Sequence, residues 1–321
     1  MALSVIIPVR NDTGNLSECL AHLRRSTRVP DEIVVVDDAS DEPVELTADD
    51  VRVMRLKEQS GPAAGRNRGA EAAQGDLLVF VDADVFVHPD TLERTERLFE
   101  KQDVGAAVGV FEDHRGYGSF FSDYKNLWMK FSYENCPRRA ALFYTSYAAI
   151  RSEIFREAGG FDVRYRRPST EDTAFGNTLW EMGVRPVIAP ELQVFHNKEY
   201  SLRSLLRTDL MRASDLLRMK LRGGMGGLLE SERTSVNTGS ILSVGVTGLA
   251  VVVGAATGSV VAGLCLLVLA LLLNRRFLGY LHARRGTAFL TKSVCLMLVD
   301  NFAAGLGLLH GIAAYLLGRK V

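Results

Sequence analysis

The run Gly75-Asp76-Leu77-Leu78-Val79-Phe80-Val81-Asp82-Ala83-Asp84 sets two carboxylates directly behind five consecutive apolar residues. Such a run predicts a strand buried on both faces, as in a parallel sheet. Side chains alternate along a strand, so Asp82 and Asp84 would leave its end pointing the same way. In an open α/β sheet the carboxyl ends of the strands are where ligands bind. Two like charges in that place are costly without a positive partner. Mg2+ or Mn2+, hard cations that take oxygen ligands, would meet the need and could carry a diphosphate with them. A pair of solvated loop aspartates is the other way to read the same two residues.

Three further groups could do chemistry. Asp37 and Asp38 follow the strand-like Asp31–Val36, where they could hold a ligand or cap a turn. Glu171 and Asp172 open an amphipathic stretch to Met182. Acids are favoured at a helix N-terminus by the dipole, but a carboxylate there could also act as a general base. The segment Gly61-Pro62-Ala63-Ala64-Gly65-Arg66-Asn67-Arg68-Gly69-Ala70 has small residues for close backbone packing. Its glycine spacing matches neither the dinucleotide fingerprint nor the P-loop. Because it directly precedes the aspartate-bearing strand, Arg66 is a candidate diphosphate contact. A tight helix start is the alternative.

The elements that must position these groups alternate in type. Ser4–Val9 predicts a first strand, ended by Pro8 and the turn-prone Arg10-Asn11-Asp12. A helix follows from about Asn15 to Arg25, with Leu16, Cys19, Leu20 and Leu23 on one face. Asp31–Val36 and Val51–Leu56 predict further strands. Strand-helix alternation with acids at the strand ends indicates a largely parallel α/β layer.

The chain has 321 residues and a formal net charge of zero, so nothing global points to nucleic acid. Cys19, Cys136, Cys265 and Cys295 are scattered without paired spacing, which argues against a disulfide framework and fits a reducing compartment. The first residues lack the pattern of a secretory signal, which places the polar part in the cytoplasm.

Taken together, strand-Pro8, strand-Asp37-Asp38-Ala39-Ser40, the Gly61-to-Gly69 segment, Asp82-Ala83-Asp84, Ala158-Gly159-Gly160-Phe161-Asp162, Ser169-Thr170-Glu171-Asp172-Thr173-Ala174-Phe175 and His196 resemble glycosyltransferase family 2. The resemblance covers about residues 1–210. It implies the GT-A fold, a mostly parallel mixed sheet flanked by helices, and an inverting transfer of one sugar from a UDP- or GDP-sugar. On that resemblance Asp38 binds the donor's base, Pro8 and Arg10 line the base pocket, and Asp82 lies near the ribose. Asp84 ligates the metal, Asp172 is the base and Glu171 supports it. His196 stands where many members place a metal or phosphate ligand; a structural histidine is the bland reading. The family often has an aromatic residue and a glutamate around Val9 and Asp12, so base recognition differs here. Its processive synthases carry Gln-x-x-Arg-Trp, whereas Ser204 and Thr208 flank Arg207 here, which argues for a single transfer. Arg203, Arg207 and Arg212 share roughly one helical face and could meet either the diphosphate or anionic lipid. A different class, a non-catalytic nucleotide-sugar-binding or scaffold subunit, is opposed by the intact Asp82, Asp84 and Asp172.

Residues 115–150 are rich in aromatics, from Tyr117 and Phe120 to Tyr144 and Tyr147, read mainly as core with part of an acceptor groove. Beyond residue 236 charge thins out, and none occurs over the roughly 36 residues 238–273. One straight helix of that length would measure about 54 Å, against a bilayer core of about 30 Å. A hairpin with its turn near residues 254–259 fits better, and basic clusters on both sides require an even number of crossings. Residues 288–317 form a third hydrophobic segment, either a span or an interfacial helix. The expected organisation is thus a catalytic domain at 1–222, a joint at 223–237 that includes Gly223–Gly227, and a membrane domain at 238–321. The anchor makes a lipid-linked acceptor at the cytoplasmic face of the inner membrane the simplest partner.

Overall fold

A computed structural model describes residues 1–46, 50–113, 118–166, 168–222 and 238–318. The joint at 223–237, Tyr117, and Arg319 with Lys320 lie outside the described residues. The chain divides into two compact units. The described residues of Met1–His114 and Cys136–Lys198 form the first; those of Arg115–Asn135, Glu199–Ser231 and Ser235–Val321 form the second.

The first unit holds an eight-stranded mixed sheet: β1 (Leu3–Val9), β2 (Glu32–Asp37), β3 (Val51–Arg55), β4 (Leu77–Val81), β5 (Val85–Val87), β6 (Ala106–Phe111), β7 (Tyr147–Arg151) and β8 (Val187–His196). Their spatial order is β3-β2-β1-β4-β7-β6-β8-β5. The β3-β2-β1-β4 half is parallel throughout, so its carboxyl ends share one edge. Pairs β4–β7, β6–β7 and β5–β8 are antiparallel. The apolar run Leu77–Val81 is buried at every position, as a strand covered on both faces requires.

Around the sheet lie α1 (Thr13–Arg24), α2 (Pro62–Ala72), α3 (Thr91–Phe99), α5 (Ser152–Glu157) and α6 (Glu171–Glu181). Helix α2 is the tight helix that the Gly61–Gly69 run allows. A Cβ on Gly69 would stand 2.4 Å from the Ile6 side chain of β1, so only glycine lets α2 press onto the strands there. Gly61, the residue before α2, has φ +90°, and a Cβ on it would meet the Arg166 backbone at 2.5 Å.

The second unit contains α4 (Phe120–Glu134), α7 (Leu202–Arg222), α8 (Thr238–Thr257), α9 (Val260–Leu273) and α10 (Arg275–Leu316). Helices α8 and α9 are joined by a turn at Gly258, whose φ is +67°. Helix α10 breaks at Gly286, whose φ of 79° and ψ of −176° are not helical. Its longer part therefore starts at the third hydrophobic segment. Glycines let α10 approach α7 closely: a Cβ on Gly307 would be 2.2 Å from the Leu210 carbonyl oxygen. Asn301 Nδ2 donates to Ser243 Oγ of α8 at 2.8 Å, a polar tie between apolar helices. Among the described residues, α8 and α10 are long and apolar enough to cross a membrane. Among the described residues, apart from Met1, Val29, Val163, Met182 and Leu202, the large apolar side chains left exposed all lie between Ile241 and Leu317.

The aromatic band is core in both units. Phe143 and Tyr147 are buried in the first; Tyr124 and Phe131 pack with Phe277 in the second. The Tyr147 hydroxyl is engaged with Thr95 Oγ1 at 2.6 Å, and burial pushes its pKa up.

Candidate active site

Strand β4 ends at Val81, one residue before the acid pair, and the Val85 N–H closes a turn onto the Asp82 carbonyl at 3.0 Å. Strand alternation therefore does not set the directions of Asp82 and Asp84, contrary to the sequence expectation. The turn gives them different partners. Asp82 Oδ1 accepts from Arg66 Nη2 at 2.7 Å. Asp84 Oδ2 lies 3.9 Å from His196 Nε2 and 3.7 Å from Lys198 Nζ.

Arg66 is the centre of the site. It is 3 % exposed, rises from α2, and its second nitrogen, Nη1, donates to Glu171 Oε1 at 3.1 Å. Its guanidinium also lies 5.7 Å from the Phe161 ring centroid. Arg66 thereby ties the acid behind β4 to the first turn of α6. Glu171 is buried, and its other oxygen accepts the Ser169 N–H at 2.9 Å. Asp172, the next residue, is only half-buried; its Oδ1 accepts the Thr173 N–H at 2.6 Å. The structure thus separates the pair: Glu171 is locked inward, while Asp172 keeps partial access to solvent.

His196 reaches Asp84 because β5 and β8 pair antiparallel, with Val85 opposite His196. The Asn197 N–H donates to the Asp84 carbonyl at 2.7 Å, which clips the end of β8 to the acid turn. The imidazole is buried and stacks on Phe111 at 4.5 Å. Burial, with the Lys198 charge adding, lowers its pKa to about 3 against the opposing pull of Asp82. The ring is therefore neutral near pH 7 and can offer a nitrogen lone pair. Among the described residues no three His, Cys, Asp or Glu side chains converge as a complete metal site. A hard cation bound by one or two protein groups would take its remaining ligands from substrate phosphates and water.

The residues predicted to bind the base fall at the carboxyl ends of β1 and β2. Asp38 is buried, and its carboxylate accepts the N–H groups of Ser60 at 2.6 Å and Gly61 at 2.9 Å. Those bonds hold the entry to α2, so Asp38 does structural duty there whatever else it binds. Asp37 is more deeply committed, accepting from Ser40 N, Val44 N and Arg55 Nη1. Burial raises its pKa, but these hydrogen bonds together outweigh it and leave the carboxyl below the usual range. Pro8 is half-buried within β1; Arg10 is exposed, 3.8 Å from Asp41. Arg203 and Arg207 lie exposed on α7 in the second unit.

Sequence reasoning missed two contributors. Asn67 exchanges hydrogen bonds with the Phe161 backbone, donating to its oxygen and accepting its N–H, both at 2.8 Å. This fixes the Gly160-Phe161-Asp162 turn against α2 and explains Gly160, whose φ is +72°. Lys198 is the second, and no motif marks it.

Comparison with known proteins agrees with this architecture. A mannosyltransferase from Pyrobaculum calidifontis, solved in complex with GDP-Man and Mn2+, superposes with a TM-score of 0.55 at 19% identity, covering 99% of this chain and 88% of that one. The mixed sheet flanked by helices is the GT-A fold. Residues 4–159 match the profile of Glycosyl transferase family 2. The matched segment is thus a glycosyltransferase family 2 domain. The uncharacterized glycosyltransferase YwdF of Bacillus subtilis is 32% identical over 123 residues, 36% of this chain and 46% of that protein. The pre-mycofactocin glycosyltransferase of Mycobacterium tuberculosis is 29% identical over 212 residues, 63% of this chain and 44% of that protein. The chain thus matches just under half the length of these relatives.

Proposed function

We propose that the chain is a metal-dependent, inverting glycosyltransferase. It would move one sugar from a UDP- or GDP-sugar to a lipid-linked acceptor at the cytoplasmic face of the inner membrane. The observation that supports this reading best is the buried bridge Asp82–Arg66–Glu171, which joins the donor-side acid to the helix presenting Asp172. Asp38, Pro8 and Arg10 would frame the nucleobase at the ends of β1 and β2, and Asp82 would meet the ribose. Asp84 and the neutral His196 would hold Mg2+ or Mn2+, whose charge neutralises the departing diphosphate. Asp172 would take the proton from the attacking acceptor oxygen as that oxygen bonds to the anomeric carbon. The diphosphate leaves from the opposite face with the bond's electron pair, so the configuration inverts. The exposed apolar side chains from Ile241 to Leu317 support a bilayer as their surroundings.

The test is transfer from labelled UDP- and GDP-sugars to extracted membrane lipid by the full chain in detergent. Transfer should need Mn2+ or Mg2+, stop with chelator, and give a product of inverted anomeric form. Asp172→Asn should lower turnover by about 10²–10⁴-fold, the usual worth of a positioned base. A retained anomeric form, or full turnover in Asp172→Asn, would overturn the mechanism.

A further inference from the structure

Lys198 stands beside Asp84, and it is held there by more than its own side chain. The Asn197 N–H is fixed to the Asp84 carbonyl, and Asn197 Nδ2 donates to Asn15 Oδ1 of α1 at 2.8 Å. These ties present residue 198 beside the acid turn, with Nζ 3.7 Å from Asp84 Oδ2. The side chain is nonetheless 49% exposed, and a lysine stem has four rotatable carbons on which to swing. The other cation at the acid pair, Arg66, is buried and bonded to Asp82 and Glu171, so it cannot follow a ligand.

We propose that Lys198 has two positions: counter-ion of Asp84 without donor, and contact of the leaving diphosphate once the metal-bound donor is seated. The inference rests on the functional reading above and extends it. Without donor, the ammonium offsets the charge of a carboxylate whose neighbour Asp82 is also anionic. A cation arriving at Asp84 must displace it. Displaced, the ammonium lies at the edge of the site nearest the phosphates. There it donates charge-assisted hydrogen bonds to the oxygens that gain charge as the bond from the anomeric carbon to the diphosphate breaks. It transfers no proton; the acceptor's proton goes to Asp172.

The two positions predict opposite effects of one substitution. In Lys198→Ala, Mn2+ binding without nucleotide, read from the free-Mn2+ signal in electron paramagnetic resonance, should tighten. A half-exposed ion pair limits the gain to about two- to fivefold. Binding of the corresponding nucleoside diphosphate with Mn2+ should weaken about tenfold or more, as expected for a lost charge-assisted bond. The nucleoside alone should bind as in wild type. Lys198→Arg should restore much of the diphosphate affinity, and melting temperatures should show that both variants fold. A purely structural lysine would move neither Mn2+ nor diphosphate binding, or would weaken both, and either result overturns the assignment. Wild-type protein that binds no Mn2+–nucleoside diphosphate would remove the functional reading and this proposal together. Normal wild-type binding with an unchanged Lys198→Ala would remove the proposal alone.

Discussion

Replacing Arg66 tests the bridge on which the site is built. In Arg66→Met, Asp82 can rehydrate because its side chain is 29% exposed, so little of the cost arises there. Glu171 is different: it is 4% exposed and is left with the Ser169 N–H as donor. Stranding a buried carboxylate in this way costs about 3–5 kcal/mol, and the contact with the Phe161 ring adds about 0.5–1 kcal/mol. Glu171→Gln is milder, because Arg66 retains Asp82 and the amide oxygen can still accept from Ser169. That variant should lose about 1–2 kcal/mol, the worth of a hydrogen bond to a charged group. The double variant Arg66→Met/Glu171→Gln buries no charge and should be more stable than Arg66→Met alone. Arg66 Nε has no hydrogen-bond partner among the described residues, so the cluster is not optimised for stability. Such a network is better explained by positioning than by strength. The chain has two tryptophans. Trp128→Phe leaves Trp180 on α6, the helix that Glu171 begins, as a reporter of unfolding in denaturant. If the two single costs sum to the double within about 0.5 kcal/mol, the residues are uncoupled and the bridge is not what holds α6 to the acid turn.

Asp37 provides a pH test. Its folded pKa lies below the ordinary value, so the stability it contributes is present above about pH 4, the unfolded range, and is lost as pH falls through the lower folded value. Asp37→Asn should cost about 1–3 kcal/mol at pH 7, a difference that shrinks on acidification in paired melting curves. Gly160→Ala brings a Cβ within 2.7 Å of Asn67 Oδ1 at a positive φ. Overpacking of that kind costs about 1–3 kcal/mol, and Asn67→Ala should not rescue it fully because the backbone strain remains. His196→Ala should raise the Mn2+ concentration needed for half-maximal binding while leaving nucleoside affinity intact. A parallel loss of both would make the histidine structural.

The local structure read correctly from sequence is that whose cause lies in neighbouring residues. Leu77–Val81 is buried because nothing polar interrupts it, and the acids that follow it fall at a strand end for the same reason. The Gly61–Gly69 run announced close packing, which the approach to Ile6 bears out. What could not be read depends on partners distant in the chain. The place of Arg66 before β4 makes it a candidate diphosphate contact but gives no sign that it meets Glu171 across 105 positions of sequence. That meeting depends on tertiary ties such as the one between Asn67 and the Phe161 backbone. His196 reaches Asp84 through β5, a strand of three residues too short to show a period. Lys198 follows for the same reason, since only the Val85–His196 pairing distinguishes it from the chain's other lysines. The aromatic band shows the converse limit. Its composition is uniform, but Tyr147 belongs to the first unit's sheet and Tyr124 to a helix of the second. Amino-acid type reports that a ring will be buried; which core receives it is decided by chain topology. The same logic separates Glu171 from Asp172. Neighbours of like charge are indistinguishable by type, and they diverge because a helix points successive side chains about 100° apart. One carboxylate is therefore taken by Arg66, and the next keeps the access to solvent that a base requires.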